Sequence, residues 1–368
     1  MSSDIEYMQR AIRLAKKGQY TTDPNPSVGC VIVKQGEIIG KGWHQRAGEA
    51  HAEINALAQA GDDARGATAY VTLEPCSHTG KTPPCAEALI NAGVKRVIAA
   101  MKDPNPLVAG DGLKKLQGAG IEVDSGLLES QARDLNPGFI KRMEAGRPYV
   151  RVKMAMSLDG RTAMASGESQ WISSAASRED VQRMRAKSSA ILTGIDTVLA
   201  DDPSMNVRLS ADELGLKPDQ AVRQPKRIVL DSHFRMPANA NIFAVEGECY
   251  VYTTVNMEAG KSYPFIIETC DSHDGKIDLQ HLMDDLAKKE INLLHVEAGS
   301  VLCGALLKND LVDEIIIYMA PHIMGDDAKG LFHLPGLEKM EDRISLSIID
   351  VRFVGSDIRI TAYPKIVQ

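Results

Sequence analysis

The chain has few of the features that mark membrane, secreted or fibrous proteins. Its 368 residues include only 6 cysteines, 2 tryptophans and 5% aromatic residues. No apolar run approaches the roughly 20 residues of a membrane-spanning helix. The cysteines are scattered, unlike the framework of a disulfide-rich secreted domain. These absences favour a globular protein with reduced thiols and without a membrane segment.

Positive charge is also scarce. The chain has 42 Lys and Arg against 49 Asp and Glu, which gives a net charge of −7 at pH 7. Proteins that bind nucleic acids usually carry a basic face, so we expect a small-molecule substrate and no nucleic-acid partner. Residues 1–6 have neither the basic nor the apolar region of a secretory signal. We therefore expect a cytoplasmic location.

What the chain does have is enough length for two domains. Its 368 residues exceed the size at which a single hydrophobic core stops growing. A hydrophobic fraction of 44% is ordinary for a globular protein. Residues 144–148, Glu-Ala-Gly-Arg-Pro, have the composition of a linker. We therefore predict one domain over residues 1–146 and a second over residues 147–368.

Helical and extended patterns alternate along the chain, which predicts an α/β protein with a largely parallel sheet in its first domain. In the first half, helices are predicted over residues 4–17, 52–60 and 127–143 and from 83 to 90, with strands over 28–33, 37–40, 67–73, 94–101 and 121–123. In the second half, strands are predicted over 149–156, 190–193, 227–231, 249–253 and 292–296, and helices over 175–186, 279–289 and 301–308. Residues 209–224 predict only a loop, and the chain from Glu314 onward is strand-rich.

One stretch carries the pattern of a catalytic metal site. It opens with His51-Ala52-Glu53 and closes with Pro75-Cys76 and Cys85. One imidazole and two thiolates suit Zn²⁺, and three protein ligands leave a fourth position for water. Glu53 is not needed as a ligand, so its carboxylate can take a proton from water and deliver it to a leaving amine. The pattern predicts a zinc-dependent base deaminase with ligands His51, Cys76 and Cys85 and catalytic Glu53.

The spacing of the two cysteines departs from the general deaminase pattern. Eight residues, 77–84, separate them where the general signature has two. The longer spacing is still compatible with a metal site, because a strand leads to Cys76 and a helix begins near Cys85. Both thiolates then lie near helix N-termini, where negative charge is favoured. The alternative is a closed structural zinc site with His44 or His78 as fourth ligand, but such a site has no use for Glu53.

Further motifs extend the pattern over the whole chain. They are Asn25-Pro26-Ser27-Val28-Gly29, the run from Glu74 to Cys85, Asp103-Pro104-Asn105-Pro106, Ser157-Leu158-Asp159-Gly160-Arg161, Ser169-Gln170-Trp171-Ile172 and Val296-Glu297-Ala298-Gly299. With these motifs the chain resembles the bifunctional deaminase/reductase family of riboflavin biosynthesis. The resemblance implies a cytidine-deaminase-like three-layer N-terminal domain and a C-terminal domain similar to dihydrofolate reductase that uses NADPH. The implied substrate is a diaminopyrimidinone ribosylamine 5′-phosphate, which loses a ring amine before its ribose is reduced to a ribityl chain.

The resemblance also assigns substrate contacts in the first half. They are Asn25, His44, Lys81 and Asp103. An amide can donate to and accept from a base edge, and a lysine can meet a phosphate. Taken alone, Lys81 would be a solvated surface lysine. His44 could equally be a buried core histidine or a histidine that supports one of the zinc ligands through a hydrogen bond.

In the second half the resemblance implies two sets of residues. The ribose-phosphate substrate is lined by Lys153, which also has a catalytic role, and by Ser169, Arg185, Met205, Arg208 and Glu297. NADPH is lined by Ala155, Trp171, Thr197, Asp201, Ser232, Gly299, Ser300, Val301 and Leu302. Gly299 has a separate physical basis, since it follows a strand and opens a helix whose free N–H groups can receive a phosphate. Taken alone, Arg185 would be a helix-surface charge and Trp171 a core residue.

Two other functions compete with the bifunctional enzyme. The first is a monofunctional zinc nucleotide deaminase with an inactive reductase-like domain, which the intact Lys153, Asp201 and Glu297 oppose. The second is a zinc-stabilised nucleic-acid module, which the acidic charge opposes. We also expect the protein to form a homo-oligomer, either a dimer or a tetramer.

Overall fold

The computed structural model of the chain describes residues 2–77, 84–106, 108–256 and 262–365. The chain divides into two compact units, Met1–Arg147 and Pro148–Gln368. Each hydrophobic cluster lies wholly within one unit, so each unit has a core of its own. Within the described ranges, no helix combines the length and the apolar character that crossing a bilayer requires.

The first unit is built around a five-stranded sheet with the strand order β2-β1-β3-β4-β5. The strands are β1 Gly29–Lys34, β2 Glu37–Trp43, β3 Thr68–Val71, β4 Arg96–Ala99 and β5 Glu122–Ser125. The helices are α1 Ser2–Ala15, α2 Ala52–Ala60, α3 Cys85–Asn91, α4 Asp111–Gly118, α5 Glu129–Arg133 and α6 Pro137–Ala145, with 3₁₀ turns at Lys16–Gly18 and Gly61–Ala64. β1 is antiparallel to β2 and β3, whereas β3, β4 and β5 run parallel.

Alternate residues of β1 face two separate cores. Cys30 and Ile32 pack in a cluster with residues of α2, α3 and α4. Val31 and Val33 pack on the opposite face with residues of α1 and α6. Because successive side chains of a strand point to opposite sides, helices cover both faces, which confirms the predicted three-layer α/β domain.

Close packing of α2 on β2 places the start of α2 near the sheet. A Cβ added at Gly42 would lie 2.1 Å from the carbonyl oxygen of Ala52, so no larger residue fits there. The predicted helix 52–60 is confirmed at both ends. His51 therefore stands as the residue before the first helical turn, directly above the sheet.

The helix predicted over residues 127–143 is wrong as a single element. The structure has two helices, α5 and α6, that are separated at Asp134, Leu135 and Asn136. Pro137 occupies the first turn of α6, because proline has no N–H to continue a preceding helix. α6 also extends through Ala145, so the first two residues of the predicted linker are helical.

The second unit is built around a nine-stranded sheet with the order β11-β10-β9-β8-β14-β6-β15-β18-β17. Its strands are β6 Tyr149–Ser157, β8 Ala190–Gly194, β9 Lys226–Leu230, β10 Cys249–Thr253, β11 Ile266–Thr269, β14 Leu293–Val296, β15 Glu314–Ala320, β17 Leu346–Val354 and β18 Asp357–Pro364. Two small two-stranded ribbons are formed by β7 Arg161–Ala163 with β16 Lys329–Gly330 and by β12 Ser272–His273 with β13 Lys276–Ile277. The helices are α7 Ala175–Lys187, α8 Ile195–Asp201, α9 Leu279–Lys288 and α10 Ser300–Lys308, with 3₁₀ turns at Asn241–Phe243 and Met340–Asp342.

The strands from β11 to β15 in this order are parallel, and β18 and β17 continue the sheet antiparallel. β8 and β14 are neighbours, but the chain leaves them in opposite directions. After β8 it passes through α8 to β9 on one side, and after β14 it passes through α10 to β15 on the other. Such a switch point leaves a crevice at the carboxyl ends of the strands, where open α/β sheets bind ligands.

Most predicted elements of the second unit are confirmed within one or two residues. Residues 209–224 contain no helix or strand, as predicted. The sequence analysis missed α8, a short helix that ends where Asp202 adopts a left-handed conformation before Pro203. It also missed the small ribbons and β11, because such short segments carry almost no periodicity.

Candidate active sites

The three predicted zinc ligands lie together at the carboxyl end of β3. His51 precedes α2, Cys76 lies in the segment after β3, and Cys85 opens α3. The distance from His51 Nδ1 is 3.3 Å to Cys85 Sγ and 3.7 Å to Cys76 Sγ. All three ligand atoms lie within 4.8 Å of one another.

This cluster fits a zinc ion. Bonds of about 2.1 Å to nitrogen and about 2.3 Å to sulfur separate tetrahedral ligands by about 3.6 Å, which matches the 3.3 and 3.7 Å observed. The proton of a hydrogen bond from Cys85 lowers the pKa of Cys76, and the same contact raises the pKa of Cys85. A divalent cation would replace that proton between two thiolates.

The N-terminus of α3 lies next to both cysteines. Cys85 is the first residue of α3, and its backbone N–H donates to Cys76 Sγ over 3.3 Å. The N–H of Ala86 donates to the Cys76 carbonyl over 3.1 Å. The prediction that both thiolates lie near helix N-termini is thus confirmed, although no helix begins at Cys76 itself.

Glu53 lies in the first turn of α2, two residues after the histidine of the cluster. Its side chain is buried, with 3% of its surface exposed. Burial raises the pKa of Glu53 to about 7. The carboxylate lies within hydrogen-bonding reach of Cys85, so it adjoins the metal cluster without belonging to it.

His44 and Asn25 form one wall beside the cluster. The His44 ring meets the His51 ring edge-on, with 5.3 Å between centroids. His44 Nε2 lies 3.3 Å from Asn25 Nδ2, and its Nδ1 lies 3.2 Å from the carbonyl oxygen of Ala50. Burial lowers the pKa of His44. The histidine is therefore held by Asn25 and Ala50 and is not part of the ligand cluster, whereas His78, the other suggested fourth ligand, lies outside the described residues.

A small cleft lies next to Cys76, and Asp103 is among the residues that line it. It is lined by Glu74, Pro75, Cys76, Ser77, Asp103, Val108 and Gly112. Lys81, the remaining substrate residue suggested for this half, lies outside the described residues. Glu74, which begins one of the motifs but had no predicted role, has a buried carboxylate that faces the segment carrying Asp103.

In the second unit, Arg185 and Glu297 form a buried pair. Arg185 Nε donates to Glu297 Oε1 over 2.6 Å and Nη2 donates to Oε2 over 3.0 Å. Although burial opposes the charged forms, the pairing raises the pKa of Arg185 and holds that of Glu297 well below its usual range. Arg185 is therefore a buried residue and not the helix-surface charge that the sequence alone suggested.

Lys153 lies beside this pair. Val296 on β14 is paired with Val152 on β6, so the next residues, Glu297 and Lys153, lie on adjacent strands. Burial lowers the pKa of Lys153, a shift that Glu297 opposes and Arg185 reinforces. The lysine thus lies at the middle of β6, close to both charged groups of the pair.

The loop after α8 brings two more predicted substrate residues to Arg185. Arg185 Nη1 donates to the carbonyl oxygen of Asn206 over 2.9 Å, and Arg208 Nη1 donates to the Asn206 side chain over 3.3 Å. Met205 is buried and has a positive φ of 48°, which turns the chain toward Arg185. Burial and the nearby Arg185 charge lower the pKa of Arg208. The structure thus gathers Arg185, Met205 and Arg208 in one place.

Several predicted cofactor residues lie along the crevice between β8 and β14. Thr197 belongs to α8 after β8, Ser232 follows β9, and Gly299 precedes α10. Ser300, Val301 and Leu302 form the first turn of α10, and a Cβ added at Gly194 would lie 3.7 Å from Leu302 Cδ2. Among the described residues, a Cβ added at Gly299 would meet nothing within 4 Å, so the space above it is open. Ala155 lies on β6, paired with Tyr318.

Trp171 is an exposed residue, so the suggestion that it packs in the core is wrong. It is 70% exposed, and the guanidinium of Arg178 lies 4.5 Å from its ring centroid. Gln170 Nε2 donates to Asp201 Oδ1 over 3.2 Å, which joins this loop to the end of α8. Ser169 lies half-buried in the same loop.

His295 is a buried residue of this site that the sequence analysis missed. Its Nε2 lies 3.3 Å from Glu297 Oε1, and burial lowers its pKa. The signal was present, because His295 and Glu297 alternate about Val296 on a strand and so share a face. His295 therefore lies against the Glu297 carboxylate.

Comparisons with known proteins agree with both halves. The model of the cytidine and deoxycytidylate deaminase zinc-binding region matches residues 1–101, and that of the RibD C-terminal domain matches residues 148–360. The chain belongs to the RibD family. This family assignment makes it a bifunctional enzyme of riboflavin biosynthesis, with a zinc-dependent deaminase and an NADPH-dependent reductase. The predicted fold class, function and cofactors are thereby confirmed.

RibD relatives match over nearly their whole length. The riboflavin biosynthesis protein RibD of Escherichia coli K12 is 55% identical over 96% of this chain and 98% of its own. Acinetobacter baumannii RibD has a TM-score of 0.90 at 46% identity, with 99% of both chains covered. A Thermotoga maritima structure described as a diaminohydroxyphosphoribosylaminopyrimidine deaminase/5-amino-6-(5-phosphoribosylamino)uracil reductase has a TM-score of 0.87 at 33% identity, with 99% of both chains covered.

Proposed function

We propose that residues 1–146 carry the deaminase and residues 147–368 the reductase, acting in that order on one substrate. The substrate is 2,5-diamino-6-(5-phosphoribosylamino)pyrimidin-4(3H)-one, the kind of compound that the name of the Thermotoga relative describes. Hydrolysis removes its ring amine as ammonia and leaves 5-amino-6-(5-phosphoribosylamino)uracil. The reductase then converts the ribosyl group of this product into a ribityl chain.

Supporting this division, the hydrophobic clusters of the second unit contain only residues of that unit. A fragment that begins near Pro148 should therefore fold alone, bind NADPH and reduce the deaminated pyrimidine. The measurement is a cooperative unfolding transition together with NADPH oxidation by the fragment. A fragment that stays unfolded would contradict the independence of the reductase.

In the deaminase, His51, Cys76 and Cys85 hold zinc, which as a Lewis acid makes water a better nucleophile near neutral pH. Glu53 accepts the proton of the attacking water and returns it to the leaving ammonia. Asn25 and His44 meet the pyrimidine edge, because their amide and imidazole groups lie together beside His51. Asp103, which lines the cleft beside Cys76, and Lys81 complete the substrate contacts.

In the reductase, NADPH would supply a hydride to C1′ of the ring-opened sugar, which is an imine, and Lys153 would donate the proton that the imine nitrogen takes up. A lysine whose pKa is lowered by burial gives up its proton more readily than a free one. Glu297, oriented by Arg185, accepts hydrogen bonds from the sugar hydroxyls. Arg208, with Ser169 and Met205 nearby in the site, meets the 5′-phosphate.

NADPH lies along the crevice between β8 and β14. The first-turn N–H groups of α10, at Ser300, Val301 and Leu302, have no partners within the helix and receive a cofactor phosphate. Open space over Gly299 admits that phosphate. Thr197, Asp201 and Ser232 contact the cofactor from the β8 side, and Ala155 and Trp171 from β6 and the loop beyond it.

The observation that carries the deaminase assignment is the His51, Cys76 and Cys85 cluster with buried Glu53 beside it. The zinc-loaded chain should release ammonia from the diaminopyrimidinone substrate, and a strong chelator should abolish the release. The same chain should release none from cytidine, which lacks the phosphate that the site binds. Ammonia release that survives complete zinc removal would contradict the assignment.

The protein forms a homo-oligomer through β17, the edge strand of the nine-stranded sheet. This strand exposes Ile348, Val351 and Phe353 to 64%, 58% and 77%. An edge strand with apolar side chains pairs readily with an identical strand about a twofold axis. Asp350 pairs with Arg352 at 2.6 Å and Arg359 pairs with Asp180 at 2.8 Å, so the charges of these four residues sum to zero.

Sedimentation tests this surface. The parent chain should sediment as a dimer or tetramer, and Phe353→Glu should lower its mass. Met340→Glu is the matched control, since Met340 is also 77% exposed but lies outside β17. A monomeric parent chain would contradict the oligomer, and an unchanged Phe353→Glu mass would contradict the surface.

The enzyme acts in the cytoplasm. All six cysteines are free, and two of them belong to the metal cluster. Free thiols persist in a reducing compartment. Cell fractionation should recover the protein with cytoplasmic markers, and recovery with periplasmic or secreted markers would contradict this location.

A further inference from the structure

The carboxylate of Glu74 is buried beside the metal cluster and saturated with backbone hydrogen bonds. Glu74 lies beyond β3, two residues before Cys76, and only 5% of its surface is exposed. Its Oε2 accepts from the N–H of Asp103 over 3.0 Å and of Gly110 over 2.9 Å, and its Oε1 from the N–H of Gly112 over 2.8 Å and of Leu113 over 3.3 Å. Four donors use the full accepting capacity of a carboxylate.

These four bonds fix a segment that is distant in the sequence. Asp103 and Gly110 both lie in the segment between β4 and α4, so one carboxylate binds two separate points of that segment. The other two donors belong to the first turn of α4, where N–H groups have no partner within the helix. A negative charge at this helix start is also favoured by the helix dipole. Glu74 thus sets both the course of the loop and the position of α4.

The fixed segment forms a wall of the cleft beside the zinc ligands. Glu74, Cys76 and Asp103 line the same cleft. At Gly112 an added Cβ would lie 1.9 Å from the Pro75 carbonyl oxygen, so α4 already touches the strand end that carries Cys76. The distance between Asp103 and the metal cluster therefore depends on the Glu74 hydrogen bonds.

We propose that Glu74 is a positioning residue of the deaminase. It holds Asp103 and the neighbouring segment against the cleft and thereby determines the affinity for the pyrimidine substrate, which it does not touch. The inference rests on the proposed deaminase function, in which Asp103 contacts the substrate. Loss of a hydrogen bond to a charged group such as Asp103 weakens binding by roughly tenfold to a hundredfold.

The direct test is Glu74→Gln. Glutamine offers one oxygen in place of two and turns an NH₂ group toward two backbone donors, so two of the four bonds are lost. KM for the diaminopyrimidinone should rise roughly tenfold to a hundredfold, while kcat stays within about threefold. The variant should keep one zinc per chain. Hydrogen exchange at residues 110, 112 and 113 should accelerate, a readout that does not depend on activity.

Glu87→Gln is the matched control. Glu87 on α3 also reaches the α4 region, through an ion pair with Lys115, but it does not line the cleft. Its KM should equal that of the parent chain. A parental KM for zinc-loaded Glu74→Gln would overturn the proposal, and so would zinc loss in proportion to lost activity.

A second variant keeps the proposal falsifiable if Glu74→Gln does not fold. Gly110 has a φ of 85°, which strains any other residue, and a Cβ there would meet only Lys114 Cε, 3.9 Å away. Gly110→Ala should shift the same segment with the carboxylate intact and raise KM, and a parental KM would overturn the proposal. A parent chain that releases no ammonia would instead contradict the deaminase function itself.

Discussion

Arg185 and Glu297 stand 112 residues apart in the chain and form a two-pronged ion pair with bonds of 2.6 and 3.0 Å. Their side chains are only 10% and 14% exposed. The pair joins α7 to the end of β14, beside Lys153. It therefore links the stability of the second unit to the geometry of its active site.

Glu297→Gln should destabilise the protein strongly, because it leaves the Arg185 charge buried without a counterion. Breaking a buried pair in this way costs about 3–5 kcal/mol. Glu248→Gln is the control, since its ion pair with Lys226 is 35% and 50% exposed and should be worth about 0–1 kcal/mol. Urea unfolding measures both free energies.

The effect of Glu297→Gln should depend on pH. The pKa of Glu297 is held well below its usual range, so its contribution is complete above the ordinary glutamate pKa of about 4.3. It is lost as the pH falls toward the pKa of the folded state. The difference between parent and variant should thus shrink in acid, and a difference that grows there would contradict the ion pair.

Cys85→Ser should lose most of the zinc, because a neutral hydroxyl replaces one of two thiolates in a three-ligand set. Metal analysis of the purified chain should give one zinc for the parent. Cys249→Ser, at a buried cysteine of the other unit, should keep it. Full zinc retention by Cys85→Ser would point to a different ligand set.

Glu53→Gln should keep its zinc and its fold but lose ammonia release. Loss of a general acid–base group costs about 10²–10⁴ in rate. NADPH oxidation should continue at the parental rate when the deaminated pyrimidine is supplied, which serves as the internal control. Near-normal ammonia release by Glu53→Gln would show that Glu53 is not the general acid–base group.

Lys153→Ala should have the opposite effect. Without an ammonium group beside Glu297, NADPH oxidation with the deaminated pyrimidine should stop, whereas ammonia release should be unchanged. Lys141→Ala, at a lysine of α6 in the other unit, is a control for the loss of positive charge. Parental NADPH oxidation by Lys153→Ala would show that the lysine has no part in reduction.

The zinc site was predictable because its signals are local. His51 and Glu53 fall within one helical start, and the helix that begins at Cys85 follows prolines that favour such a start. His51, Glu53 and Cys85 lie close to Cys76 because the sheet brings the ends of neighbouring strands and helices together. The spacing of the motifs was therefore enough to predict which residues form the zinc site.

The contacts that the sequence did not reveal are long-range or break a regular pattern. Glu74 finds its partners 29 to 39 residues later, and Arg185 finds Glu297 112 residues later. Periodicity cannot predict such contacts without the strand order. The pattern over 127–143 was helical throughout, yet Pro137 could only start a new helix.

One chain is proposed to perform both reactions in sequence, and this sequence can be measured. It is tested most directly by measuring ammonia release and NADPH oxidation in one sample of the unaltered, zinc-loaded chain, with the diaminopyrimidinone as the only substrate. One NADPH should be oxidised for each ammonia released, and NADPH oxidation should lag behind ammonia release. Ammonia release without NADPH oxidation, or NADPH oxidation without ammonia, would contradict it.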